Sequence, residues 1–374
     1  MATGNEGFLR NVIHDDLRKR YVKDAKSEER RVKREYKRGR KESIERYTLA
    51  IERQDEHDKL VNLCVHPFTE TSLMPTRLGY SFLRADPLFE LSVRNFDFLI
   101  YRTDSKMPTA IFGEVKRTVE SDLMRELKEK REIVEANIEY VKANYLGKTN
   151  QDIRLESVLA VPSASSIDAY NAISNSNEPV ILWLPQLYDN SLKLGQPPDG
   201  QPQRARMSHY DNRLMKALSV PVSSSAATFD FFPQSHTVRK LKALLSCSQR
   251  TPQGLIVDNF RLSQFVKGQL FYLDDNQRSA ELARIVQEGE RIGFLARFLD
   301  KPDLKIVSTR RKIESLERDL DRMWIEAALK EDQTRDTEKA LTRLRSTILK
   351  EQEKRPSILS YTKESDDKKS PIAS

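Results

Sequence analysis

The segments Asn95-Phe-Asp-Phe-Leu-Ile-Tyr101 and Ala110-Ile-Phe-Gly-Glu-Val-Lys116 decide the fold. Both have the aromatic and aliphatic composition of core strands. Each also carries charge where a core strand has none: Asp97 in the first, Glu114 and Lys116 in the second. An isolated charge is costly to bury. Side chains alternate along a strand, so Glu114 and Lys116 share a face, and Asp97 points away from Phe96 and Phe98. The intervening Arg102-Thr-Asp-Ser-Lys-Met-Pro108 is polar and ends in proline, which marks a loop joining two antiparallel strands. A hairpin centred between Ser105 and Lys106 sets Asp97 directly across from Glu114. A slip of one residue breaks that pairing.

Two carboxylates a few ångströms apart repel unless a divalent cation neutralises them. Mg²⁺ prefers carboxylate and carbonyl oxygens together with retained waters and substrate phosphate oxygens. Asp97 and Glu114 are therefore candidate metal ligands, the carbonyl of Val115 a further one, and Mn²⁺ a substitute ion. Lys116 beside them is placed to hold or deprotonate an attacking water, or to stabilise charge on phosphate. The set suits phosphodiester hydrolysis.

Asp, a hairpin loop, then Glu-x-Lys on the second strand and a following helix resembles the PD-(D/E)xK nucleases, over about residues 67–190. The resemblance implies that Asp97 and Glu114 bind metal, that Lys116 is catalytic, and that a central mixed sheet is flanked by helices. Phe96 stands where the pattern has proline. Many members add a glutamate from an earlier helix, for which Glu52 and Glu56 are the candidates here. The Gln and Tyr pair that some members carry on the following helix is not found.

The neighbouring elements agree with that core. After Lys116, Ser121-Asp122 opens a helix whose Leu127, Val134, Ile138, Val141 and Tyr145 recur at helical spacing up to Gly147. Leu155–Val161 reads as a strand, Ser166–Ser174 as a short helix, and Pro179–Leu184 as a strand buried on both faces. The expected fold is an α/β nuclease core with a helical N-terminal extension and a mostly α-helical C-terminal region ending in a coiled-coil-like segment. In a chain that is 32% charged, a bare E-x-K triplet also fits the solvent face of an edge strand, with Asp97 bonded to Lys116.

At 374 residues there is room for two or three domains. A net charge of +8 and a pI near 9.2 suit a polyanionic partner. Cys64 and Cys247 alone make a disulfide framework unexpected. No secretory h-region and no run of 18 apolar residues is found, so an intracellular, cytoplasmic or nucleoid-associated protein without membrane spans is expected.

Residues 1–66 read as a basic helical region. Arg30, Arg31, Lys33, Arg34, Lys37 and Arg38 cluster there, and with Arg117 they are the candidate nucleic-acid contacts. The other reading of the cluster is a solvated helix face linked to Glu28, Glu29, Glu42 and Glu45. The stretch from Tyr47 to Val65, with Leu49, Ile51, Leu60, Val61 and Leu63, is expected to pack on the core. Residues 191–234, with Leu194-Gly-Gln-Pro-Pro-Asp-Gly-Gln-Pro-Gln203 and Ser223–Ala227, read as a linker or insertion carrying Arg204, Arg206, Arg213 and Lys216. Residues 235–310 read as three helices (near 238–245, 255–270 and 280–299) and a terminal strand at 304–308. That order resembles a winged helix-turn-helix, with Gln277, Arg278, Arg284 and Arg291 toward DNA, or serves as a small helical packing domain. In residues 311–354, Ile313, Leu316, Leu320, Met323, Ala327, Leu341, Leu344 and Ile348 keep a seven-residue register with a break expected at Asp336-Thr337. That register suits a coiled coil closing a homodimer, or a helix folding back on the body. The tail 355–374 is expected to be disordered.

His14, His57, His66, His209 and His236 are scattered, with no zinc spacing, and no nucleotide-binding loop or nucleophile elbow is found. The expectation is a Mg²⁺-dependent endonuclease acting on DNA, of restriction or defence type. The alternatives are a nuclease acting on RNA and a non-catalytic nucleic-acid-binding coiled-coil scaffold.

Overall fold

The computed structural model describes residues 7–10, 12, 14–69, 71–91, 93–103, 108–147, 151–199, 207–223, 237–270, 273, 275–298, 303–307 and 313–355. It divides into two compact units: residues 1–48 with 322–374, and residues 49–321. Helix α1 (Asp15–Arg38) stops at Gly39, and α2 (Arg40–Val65) follows at once.

The unit 49–321 holds the sheets. The second half of α2 is apolar, and Ile51, Leu60, Val61, Leu63, Cys64 and Val65 are buried as expected, whereas Leu49 is exposed. A single turn, α3 (Met74–Arg77), leads into β1 (Tyr80–Ala85), a strand the sequence reading did not include. Then come β2 (Phe98–Arg102), β3 (Thr109–Val115), α4 (Leu123–Ala136), α5 (Ile138–Asn144), β4 (Arg154–Ala160), α6 (Ser166–Asn175) and β5 (Val180–Gln186). The one helix expected over 121–147 is two, meeting at Asn137. Strands β1 to β7 lie side by side in chain order, with β3–β4 and β4–β5 parallel and the other neighbours antiparallel. This is a mixed seven-stranded sheet flanked by helices.

Alternation along the strands feeds both faces. Phe98 and Ile100 of β2 pack with Phe68 and Trp183 on one side. Leu99 and Tyr101 pack with Phe112, Leu127, Val134 and Tyr170 on the other. Burial on both faces explains why these strands read as nearly continuous apolar runs.

The segment expected as a linker corrects that reading. Within 191–234 lie β6 (Ser191–Leu194), α7 (Asn212–Leu218) and β7 (Val222–Ser223). Leu192, Leu194, Leu214 and Leu218 belong to the core. The apolar residues of Ser191-Leu-Lys-Leu194 sit at alternate positions, and pairing with β5 keeps the chain in the sheet beyond residue 190. Residues 200–206, with Arg204 and Arg206, and 224–236 lie outside the described residues, as does the hairpin tip 104–107.

The last part of this unit has more strand than expected. Helix α8 (Thr237–Ser246) is followed by β8 (Gln249–Thr251) and β9 (Gly254–Val257), so Leu255–Val257 is a strand rather than the start of a helix. Helix α9 (Asn259–Gln269) begins only where the Asp258 carboxylate accepts the Arg261 N–H. Helix α10 (Asp275–Arg291) ends before Gly293, and β10 (Leu295–Arg297) pairs with β11 (Leu304–Ile306). The four strands run in the order β10-β11-β9-β8.

Helix α11 (Ile313–Glu353) is continuous, which corrects the break expected at Asp336-Thr337. Thr337 Oγ1 donates to the Gln333 carbonyl inside the helix, and Asp336 accepts the Tyr36 hydroxyl at 2.6 Å, so neither residue interrupts it. Leu316 and Leu320 are buried within the unit 49–321.

In the other unit, Leu341 and Ile348 of α11 pack against Leu17, Tyr21 and Ala25 of α1. Arg20 pairs with Glu351 at 2.7 Å, and Tyr47 meets Trp324 edge-on. The apolar register of this part is thus used inside the chain, against α1. The side chain of Ile313 and the tail 356–374 lie outside the described residues. Among the described residues, no helix is long and apolar enough to cross a membrane.

Candidate active site

The hairpin register is the one that the loop chemistry implied. Phe98 pairs with Gly113, Leu99 with Phe112 and Ile100 with Ile111. One step beyond β2, the Asp97 N–H donates to the Gly113 carbonyl at 2.9 Å. Asp97 thus sits just outside the regular ladder, beside Gly113, and close enough to Glu114 for its charge to act there. Strand β3 is not an edge: β2 and β4 pair with it on either side, and Glu114 is only 2% exposed. The solvent-face reading of the Glu-x-Lys triplet is thereby corrected, and so is the bond imagined between Asp97 and Lys116.

Each acid has its own partners. Asp97 Oδ2 accepts the Val115 N–H at 2.6 Å and lies 3.5 Å from His57 Nε2, which reaches in from α2. Glu114 Oε2 accepts from Lys130 Nζ at 2.5 Å, and Glu114 Oε1 lies 2.9 Å from Lys116 Nζ. Glu126 closes a ring, 3.1 Å from Lys116 and 3.2 Å from Lys130. Glu-x-Lys on β3 thus faces Glu126 and Lys130, four residues apart on α4, in a circuit of alternating charge.

The titration behaviour follows from these neighbours. Burial raises Glu114, the Asp97 charge raises it further, and the two lysines only partly offset this, leaving it at about 7. Burial would also raise Asp97, but His57 and Lys130 outweigh it and hold the carboxyl below its ordinary range. His57, lifted against burial by Asp97 and Asp58, titrates at about 10. Burial would lower Lys116, yet Glu114 and Glu126 hold it well above the usual lysine value. These neighbours favour the charged form of Lys116. Asp86, in the left-handed region at φ 46°, is a further acid of the neighbourhood; burial and Asp97 push it up to about 7.

The donor set fits a hard divalent cation of the Mg²⁺ type. Asp97 and Glu114 offer oxygen ligands only, and their mutual repulsion is what such an ion relieves. Among the described residues, no group of three or more His, Cys, Asp or Glu side chains is placed to hold an ion. The protein would contribute the two carboxylates, with the Val115 carbonyl as the third expected ligand.

Of the earlier-helix candidates, Glu56 is engaged by Arg117 at 2.6 Å, and Glu52 is exposed. The α2 residue that reaches the site is His57, set aside in the sequence for lack of a zinc spacing. Its neighbour Asp58 is buried, and Arg239 of α8 pairs with it at 2.6 Å. Lys130 and Glu126 were also missed. Leu123, Leu127, Lys130 and Val134 are all buried on α4, so a lysine in an apolar stripe was the available signal. A cavity of about 390 Å³ borders the ring, lined by Arg94, Asn95, Asp122, Arg125, Glu126, Glu129 and Lys130.

The basic candidates of α1 lie in the other unit. Arg30, Arg31, Lys33, Arg34, Lys37 and Arg38 are all exposed. Arg31 is tied to Glu28 at 2.7 Å and Glu35 at 2.8 Å, in keeping with the solvated-face reading for that residue. On α10, Arg278, Arg284 and Arg291 each pair with a carboxylate three residues earlier. Compared with protein-family models, curated proteins and solved structures, the chain matches none.

Proposed function

We propose that this chain is a Mg²⁺-dependent nuclease whose active site is built on Asp97, Glu114 and Lys116 and whose substrate is DNA. The observation that carries the reading is the approach of two acids at the end of a central β-hairpin, with a lysine beside them. A bound divalent ion supplies Lewis-acid neutralisation of phosphate charge and makes water a better nucleophile. Asp97 and Glu114 would hold it. Lys116, kept cationic by Glu114 and Glu126 and 30% exposed, is suited to meet charge that grows on the phosphate rather than to accept a proton. The exposed basic face of α1 would contact phosphates without reading sequence. A restriction or defence role is the setting in which such a site acts on foreign DNA.

One observation favours a second reading. Both oxygens of Glu114 are taken by lysines, which also describes a structural ion network in a non-catalytic nucleic-acid-binding scaffold.

The test is cleavage of plasmid and of an RNA transcript with Mg²⁺ or Mn²⁺, by wild type and by Lys116→Met. Removal of a charge-stabilising group should lower the DNA cleavage rate at least about 100-fold. Equal cutting by both proteins, or no cutting with either ion, sinks the proposal. Preferential cleavage of the transcript transfers the same site to RNA.

A further inference from the structure

We infer that Lys130 governs cation binding at this site: its ammonium stands on Glu114 where a divalent ion would have to sit, and the ion binds by displacing it. The inference rests on the reading of Asp97 and Glu114 as the cation ligands.

The geometry leaves an incoming ion little choice. Glu114 Oε1 faces Lys116, and Oε2, the other oxygen, holds Lys130 at 2.5 Å. The Lys130 side chain is only 8% exposed, so water does little to screen its charge from a second cation on the same carboxylate. Asp97 is less encumbered, since its partners are a backbone N–H and an imidazole 3.5 Å away. Two positive charges competing for one buried oxygen make Lys130 the group that must give way.

The lysine also has somewhere to go. Lys130 lines the 390 Å³ cavity together with Asn95 and the exposed Arg94 and Arg125. It already touches Glu126, four residues back on the same helix, which can keep it as the ammonium leaves Glu114. A long, unbranched side chain makes this exchange by rotation about its own bonds, without moving α4. Lys116 spans the same two acids but meets Glu114 at Oε1, so an ion that takes Oε2 leaves it in place. Lys130 thus acts as a positioning residue: through Glu114 it decides how readily the ion is admitted.

The experiment is calorimetric titration of the full chain with Mg²⁺ and with Mn²⁺ at constant ionic strength, for wild type, Lys130→Met, Lys130→Arg and Glu114→Gln. Lys130→Met removes the competing charge at similar length and should bind the ion about tenfold more tightly or better. Lys130→Arg keeps the charge and should stay near wild type, which a merely structural loss would not reproduce. Lys130→Met binding no more tightly than wild type overturns the role of Lys130. If Glu114→Gln leaves the affinity unchanged, the ion is held elsewhere and the reading of the site itself fails. Lys130→Gln, which still offers Glu114 a donor, carries the same expectation should the methionine variant not fold.

Discussion

Asp97 lies one residue beyond the β2–β3 ladder, where its N–H donates to Gly113 and its carboxylate accepts the Val115 N–H, so it is bonded to the residues on either side of Glu114. The ladder itself is regular over five pairs, from Arg102 and Thr109 to Phe98 and Gly113. The environments of the two acids then part company. His57 and the Val115 N–H keep Asp97 ionised, whereas Glu114 is buried more deeply and titrates at about 7. Such a divided pair is a common mark of a functional site.

His57 gives this site a measurable pH signature. Burial alone would take its imidazole below the usual 6.5; Asp97 and Asp58 outweigh that and lift it to about 10. A folded value above the unfolded one means that the interaction stabilises the fold fully below about pH 6.5 and is lost as pH rises through about 10. The melting temperature of the metal-free protein should fall across that window, and His57→Gln should flatten the fall. An NMR titration that places the His57 ring near 6.5 would remove the basis for the prediction.

Gly113 answers for the shape of the hairpin. A Cβ at this position would lie 1.8 Å from the Phe98 ring, which sits over the glycine in the paired position. Phe98 has no room to yield, because it stacks on Trp183 at 5.9 Å and Trp183 stacks on Phe68 at 5.6 Å. Overpacking of this kind costs about 1–3 kcal/mol. Gly113→Ala should lose at least that in urea unfolding, and adding Phe98→Leu should recover part of it. A Gly113→Ala protein within about 0.5 kcal/mol of wild type would show that the hairpin adjusts freely.

The difference between what could and could not be read from the chain is physical. The hairpin was legible because its two strands are apolar on both faces and the loop between them is polar, so only one register keeps Asp97 and Glu114 together. Strands β4 and β5 were legible for the same reason. Lys130 was not, because in a chain so rich in charge a lysine among Leu127 and Val134 looks like a solvated helix face until the helix is known to lie on the sheet. Strands β8, β9 and β10 are three or four residues long, too short for alternation to be told from a helical repeat. The polar gap in α11 suggested an end, but Asp336 is satisfied by Tyr36, a partner 300 residues away in sequence.

Lys240 and Glu281 test how the second, four-stranded part of the unit is held. Lys240 of α8 is fully buried, and Glu281 of α10 lies 2.5 Å from it and is shared with Arg284 at 2.7 Å. Burial would raise Glu281, but Arg284 and Lys240 outweigh it and hold it below its usual value of 4.5. A depressed folded value makes the contribution fully present above about pH 4.5 and lost as pH falls through the folded value. Glu281→Gln removes the carboxylate beside a buried ammonium, and breaking a buried pair in this way costs about 3–5 kcal/mol. Chemical denaturation at neutral pH should register that loss, and the acid limb of the stability profile should flatten in the variant. Replacing both partners with apolar residues, Lys240→Met with Glu281→Leu, removes the stranded charge along with the pair. The double variant should therefore unfold within about 1 kcal/mol of wild type. If it is as unstable as Glu281→Gln alone, the pair contributes through the geometry of α8 on α10 and not through its charge.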